Sequence, residues 1–267
     1  MDQEARAAAA VVELGADDAQ YVADRFVADV LVGFAERRAL RWTEDEDPHV
    51  RGLGWQTFLL VALNHADRLP DLLTAASAGL RDPDPDVRRR AVHALGNQSD
   101  PRVAPLIVGA LVDPDLGVRV QAVSGLSGCL QEAPASDPSI EALIAMLDDP
   151  AAKVRDWAAF ILGTQLDIDT PDLRDRLVRL LDDDESASDA APEAAVGLAR
   201  RDDPRVLPAI RAHLAAENVG RLWIEAAAET SDPDLLPALQ LLRDAYPNEV
   251  DEWDESLSRA LEACARP

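Results

Sequence analysis

The sequence predicts an all-α fold, a solenoid of about six helix pairs with a capping element at each end. Three observations carry this reading. A block of the form Asp84-Pro85-Asp86-Val87-Arg88, followed by Ala91 and Leu95-Gly96, recurs along the chain. Its anchors Val50, Val87, Val118, Val154, Ala190 and Val219 are 37, 31, 36, 36 and 29 residues apart, a spread that suits a two-helix unit with variable loops. Within a block, Val87, Ala91 and Leu95 stand four apart and share one face of a helix. Asp-Pro pairs open the helices: Asp accepts from free N–H groups and Pro fits a first turn that needs no donor. No hairpin dipeptide sits between alternating apolar residues.

Taken in order, residues 1–42 lack the repeat block but carry apolar residues at helical spacing. These are Val11, Val12 and Leu14, then Tyr21, Val22, Phe26, Val30, Leu31 and Phe34. They predict a capping helical hairpin over the first repeat's open edge. The array then runs from 43 to 245. Val50-Arg51 leads to Trp55 and Phe58, Val87-Arg88 to Ala91 and Leu95, Val118-Arg119 to Ala122 and Leu126, and Val154-Arg155 to Ala158 and Leu162. Two later copies, Ala190 to Ala199 and Val219 to Ala228, keep the frame without the Val-Arg pair. Asp100-Pro101, Asp137-Pro138, Asp203-Pro204 and Asp232-Pro233 mark further helix starts, and Gly96 and Gly163 mark helix ends. Trp253, Leu257 and Leu261 predict a closing helix within 246–267. The acidic segments 44–47 and 182–185 read as solvated loops.

The acidic-Pro turn, the Val-Arg pair and the Ala and Leu positions after it resemble HEAT-like repeats, of the short type found in phycobilisome-lyase relatives. The resemblance covers about residues 43 to 245 and implies a right-handed superhelix. It also implies a ladder in which Arg51, Arg88, Arg119 and Arg155 meet turn aspartates, with Asp47, Asp84 and Asp115 as the candidate partners. Ala191 and Gly220 replace the arginine in the last two copies, which leaves the ladder's C-terminal part in question.

Composition narrows the function. The 267 residues carry 50 Asp and Glu against 26 Lys and Arg, a net charge of −24, and Lys153 is the one lysine. A duplex-binding surface needs clustered cations, so the charge opposes nucleic acid and anionic membranes alike. Basic proteins, cations and neutral ligands remain open, as does adaptation to salt or to a GC-rich genome. With 48% hydrophobic residues and two cysteines, the chain is neither disordered nor disulfide-stapled. An acidic start and a short apolar run from Ala7 to Val12 predict no signal peptide, and no run approaches a membrane span. The expected location is cytoplasmic.

Enzymatic readings find no motif. His49, His65, His93 and His213 form no HExxH or Cys/His cluster, so no metal site is expected. Cys129 and Cys264, far apart, read as buried thiols. There is no P-loop, GxGxxG or GxSxG, and Gly52-Leu53-Gly54 reads as a loosened helix start. The HEAT-like family also contains deoxyhypusine hydroxylase, whose His-Glu pairs are missing here. It contains DNA glycosylases too, whose basic groove the charge opposes, and bilin lyases, for which no motif is present.

By the same resemblance, the second helix of each repeat lines the concave side. Three residues past each anchor stand Leu53, Arg90, Gln121, Trp157, Glu193 and Leu222; six past it stand Gln56, His93, Ser124, Phe160, Val196 and Glu225. Both positions leave the core stripe and are expected to face a groove. Trp157 and Phe160 would form an apolar patch there or else pack on a neighbouring helix. Trp55 and Trp223 align closer to the core. The expected function is a non-catalytic scaffold, without cofactor, binding a protein or peptide partner through this groove. Glu193, Glu225 and Glu229 would meet a basic partner, of a bacterial regulatory or immunity type. A bilin lyase or chromophore chaperone is the alternative.

Overall fold

A computed structural model describes residues 33, 36–64, 67, 69–183, 189–216, 218–246 and 252–266. The apolar residues expected to build the N-terminal hairpin lie outside them. The described residues are helical, with no strand among them, and the α-solenoid class is borne out. The chain divides into two compact units, Met1–Gln98 and Ser99–Pro267.

In the first unit, α1 (Pro48–Asn64), α2 (Leu69–Gly79) and α3 (Pro85–Gly96) pack on one another. Trp55 and Phe58 are fully buried, with ring centroids 6.5 Å apart. The Asp84 carboxylate caps α3 by accepting from the N–H groups of Asp86 and Val87 (2.8 and 3.4 Å), and Pro85 follows. One face of α3 then buries Val87, Ala91 and Leu95, as the four-residue spacing requires. Gly52-Leu53-Gly54 lies inside α1 and is no loosened start. A Cβ at Gly54 would come within 2.7 Å of the Thr43 backbone nitrogen, so the glycine admits the preceding chain.

In the second unit, a short helix α4 (Ala104–Ile107) precedes α5 (Leu116–Cys129), α6 (Pro138–Ala145), α7 (Ala152–Phe160) and α8 (Pro171–Leu180). Then come α9 (Ala190–Ala199), α10 (Leu207–Leu214), α11 (Arg221–Thr230), α12 (Leu236–Ala245) and α13 (Glu252–Cys264). The second helices of successive repeats form one row, α5 on α7, α7 on α9, α9 on α11 and α11 on α13. The first helices α8, α10 and α12 pack against that row.

Carboxylates open several of these helices or the 3-10 turns that lead into them. Asp137 accepts from Ser139 N–H (2.7 Å), Asp203 from Arg205 (3.1 Å) and Asp232 from Asp234 (2.8 Å), each before a proline-led turn. Gly163 does not end α7 simply: the helix runs into a π-helical turn, Ile161–Gln165. There a Cβ on Gly163 would sit 3.0 Å from the Glu193 carbonyl oxygen and 3.3 Å from Gly197 Cα. Two glycines thus let the backbones of α9 and the π turn meet. The consequence is a helix, α9, with no solvated side: all its residues but Pro192 are buried.

Candidate functional site

The arginine ladder forms, but with other partners than the sequence suggested. Arg51 grips Asp82 with two bonds, Nε to Oδ2 at 2.6 Å and Nη2 to Oδ1 at 2.8 Å. Its Nη1 donates to the Asp45 and Glu46 carbonyls, and Arg88 Nη1 to the Asp82 carbonyl (2.9 Å). In the second unit Arg119 meets Asp149 (3.0 and 3.3 Å) and Arg155 meets Asp183 (2.8 Å). Asp47, Asp84 and Asp115 instead turn their carboxylates on N–H groups of their own helix starts. The physical division is simple. In the turn Asp82-Pro83-Asp84 the second acid lies over the helix start, while the first reaches back to the previous repeat's arginine. Burial works to raise the Asp82 pKa, and hydrogen bonds from Arg51 and the Asp84 N–H outweigh it, so the carboxyl ends below its usual range.

Past Asp183 a different arginine takes over. Arg201, which the sequence reading missed, donates to the carbonyls of Leu162 (2.6 Å), Ile168 (2.6 Å) and Gly197 (2.7 Å). It ties the π turn and the following loop to α9. Its signal was faint, an arginine just beyond an alanine-rich helix.

The expected groove residues scatter. In the first unit Leu53 and Gln56 are exposed, and Arg90 bridges Gln56 (2.8 Å) and Asp86 (2.9 Å). His93 is exposed; desolvation and then Arg89 hold its pKa below the usual value. Leu60 and Leu63 extend the exposed apolar stripe of α1 from Leu53, at spacings of seven and three, a helical period overlooked in the sequence.

In the second unit Gln121 and Ser124 on α5 bond to each other (3.4 Å). On α7, Trp157 and Phe160 are half-buried and meet edge to face, centroids 6.0 Å apart. Lys153 Nζ lies 5.8 Å from the Trp157 ring centre and 2.7 Å from Asp156 Oδ2. Leu222 and Glu225 on α11 are half-buried, and Glu225 pairs with Arg221 at 3.1 Å and accepts from Ser256 at 3.3 Å. Beside that pair a cavity of about 390 Å³ is lined by Arg221, Glu225, Glu255, Ser256 and Arg259. Glu229 is exposed.

Two residues expected on the open side are not open. Val196 and Glu193 are 5% and 9% exposed, because the close approach of α9 to its neighbours closes over them. Glu193 Oε2 is buried with no hydrogen-bond partner. Burial first, then the charges of Asp156, Asp189 and Glu225, push its pKa up to about 7, against a pull from Arg221. A carboxyl here changes charge near neutrality.

Trp55 and Trp223 are core residues, and Trp223 stacks on His213 with centroids 3.7 Å apart. Burial raises both cysteine thiols to about 11, which keeps them protonated. Among the described residues no group of three His, Cys, Asp or Glu is placed to hold a metal ion. No described helix is long and apolar enough to cross a membrane.

HEAT repeats match residues 69–136 and 140–229. Protein YibA of Escherichia coli K12 is 38% identical over 104 residues, 39% of this chain and 36% of YibA, so that alignment spans about a third of the curated relative. The X-ray structure of YibA superposes with a TM-score of 0.70 at 24% identity, over 98% of this chain and 97% of that one. An archaeal HEAT-like repeats protein from Thermococcus onnurineus NA1 gives 0.53 at 14% identity, over 87% and 96%. A structure concerned with the interaction between cadherin and beta-catenin gives 0.51 at 18% identity, over 85% and 52%.

Proposed function

This chain belongs to the family of HEAT repeats, and from that premise we propose that it is a non-catalytic scaffold binding a basic protein or peptide along its row of second helices. One juxtaposition carries the reading. The aromatic pair Trp157 and Phe160 stands half-buried on α7, and the same row of helices carries the half-buried carboxylate Glu225 on α11. Aromatic anchors next to carboxylates suit a partner segment of mixed apolar and cationic character. The net charge of −24 adds long-range attraction for such a partner and opposes phosphate-rich ones. The structure concerned with cadherin and beta-catenin gives a precedent for this fold in protein–protein interaction.

The test compares the wild-type chain with the double variant Trp157→Ala/Phe160→Ala as baits in the native cell extract. Circular dichroism shows that the variant keeps its helices. A partner retained by the wild type and lost by the folded variant supports the reading; equal retention overturns it.

A further inference from the structure

We propose that the exposed face of α1 is a pairing seam for a second copy of this chain, the two α1 helices lying antiparallel across a two-fold axis. The inference goes beyond the groove reading and stands on the first unit alone. From His49 onward the exposed described residues of α1 are His49, Leu53, Gln56, Leu60 and Leu63, at steps of four, three, four and three. The exposed Asp67 follows at the next step of four. That spacing is the 3.5-residue repeat of a seam between two helices. Its three leucines are 39%, 61% and 53% exposed. Single apolar residues on a surface need no explanation, but a row of them on one face does. Other second helices carry no such row: α5 is exposed at Leu116 alone, α7 at Lys153 alone and α9 nowhere.

The order of residues along the row says what fits it. A two-fold axis level with Phe58 lays Leu53 against Leu63 of the second copy, Gln56 against Leu60 and His49 against Asp67. Symmetry then repeats each contact. Leucine meets leucine, and at each end an imidazole N–H can donate to a carboxylate. A parallel pair would instead set Asp67 on Asp67, a like-charge contact. Arg90 Nη1 already donates to Gln56 Oε1 at 2.8 Å, which leaves the Gln56 amide N–H groups to donate across the axis. One polar residue in an apolar seam fixes register. A basic segment from another protein fits less well, because the seam carries a single carboxylate, at its end.

Long-range charge opposes the pairing, since two chains of −24 repel each other. Added salt should therefore tighten the association, whereas it should weaken a basic partner's hold on the groove. One helix pair buries less than the ~1,600 Å² of a standard interface, so the expected Kd is about 10–100 µM.

Sedimentation velocity of the full chain from about 5 to about 300 µM, in about 0.15 M KCl, tests the seam. We expect the wild type to pass from monomer to dimer across that range. Leu60→Glu puts a carboxylate from each copy into the seam and should raise the Kd more than tenfold. Leu241→Glu, the same change at an exposed leucine of α12, should stay within about twofold. Circular dichroism shows that both variants keep their helices. Trp157→Ala/Phe160→Ala should dimerise as the wild type does. Orientation is read by oxidising Leu53→Cys and Leu63→Cys chains, apart and mixed; the native Cys129 and Cys264 are buried. The mixture should yield a cross-linked dimer that neither variant forms alone. A wild type monomeric at the highest concentration, or equal losses in Leu60→Glu and Leu241→Glu, overturns the pairing. Cross-linking of each cysteine variant with itself overturns the antiparallel arrangement. A monomeric wild type that loses an extract partner on Leu60→Glu assigns the face to another protein, and the pairing falls while the groove stands or falls by its own test.

Discussion

Gly79, the last residue of α2, lies against the Trp55 indole with no space for a methyl group between them. A Cβ there would enter the ring and come within 2.8 Å of Ala91 Cβ. Trp55 is fully buried and stacked on Phe58, so it has nowhere to move. Alanine usually favours a helix over glycine by about 0.5–1 kcal/mol, but overpacking a tight core costs about 1–3 kcal/mol or more. Packing wins. Gly79→Ala should lower the urea midpoint by an amount equivalent to at least 1–2 kcal/mol. The comparison is Gly109→Ala, where a Cβ would meet nothing within 4 Å and the midpoint should hold or rise.

The ladder should behave as a set of half-buried ion pairs. Arg119 and Asp149 are 15% and 6% exposed at their side chains, and Asp149 also accepts from the Ala151 N–H at 2.8 Å. Arg119→Ala leaves that carboxylate buried without its cation, a loss of about 2–4 kcal/mol. Arg102→Ala removes an exposed arginine from its pair with Asp100 and should leave the unfolding midpoint nearly unchanged. Denaturant unfolding of the two variants separates them; equal costs would mean the ladder is decorative.

Much of this was legible in the sequence, and the misses have physical causes. The period of Val87, Ala91 and Leu95 fixed which face of α3 is buried, and the Asp-Pro pairs located helix starts, because both signals act within one turn. The Arg51–Asp82 pairing spans 31 residues, and no local rule chooses between Asp82 and Asp84. Structure explains the choice afterwards: copy four keeps Asp149 but has Ala151 at the capping position, and there α7 lacks a side-chain cap while the ladder persists. Glu193 was misplaced for a related reason. Its offset matches that of Trp157, but the glycines Gly163 and Gly197 draw α9 inward, and that approach depends on two residues far apart in the chain.

Acid should weaken the first unit through Asp82. Hydrogen bonds from Arg51 and the Asp84 N–H hold its folded pKa below the ordinary value despite burial. A depressed carboxylate contributes its full stability above its unfolded pKa, about 4, and loses it as pH falls through the folded value. The wild type should therefore lose stability steeply below about pH 4, and Asp82→Asn, less stable at pH 7, should show a shallower acid limb. Thermal midpoints from pH 7 down to about pH 3 check this. Parallel curves for the two proteins would remove Asp82 from the acid response.

Glu193 should act in the opposite sense, and at higher pH. Its pKa is raised in the folded chain, to about 7 from an ordinary 4.5, so the folded state holds a proton that the unfolded state releases. Below pH 4.5 the group is neutral in both states and makes no difference. As pH climbs from there to about 7 the unfolded chain ionises first, and stability declines; above 7 the decline levels off. The whole drop is about 3 kcal/mol at 1.36 kcal/mol per unit. Glu193→Gln keeps the shape and removes the titration. At pH 8 it should be more stable than the wild type by an amount approaching that drop, while at pH 4.5 the two should unfold at nearly the same urea concentration. A gap of the same size at both pH values would mean that the carboxyl ionises as an exposed one does. A gap that opens as pH rises from about 4.5 to 7 and then holds would mean that the folded chain carries an unfavourable negative charge at the centre of its helix row.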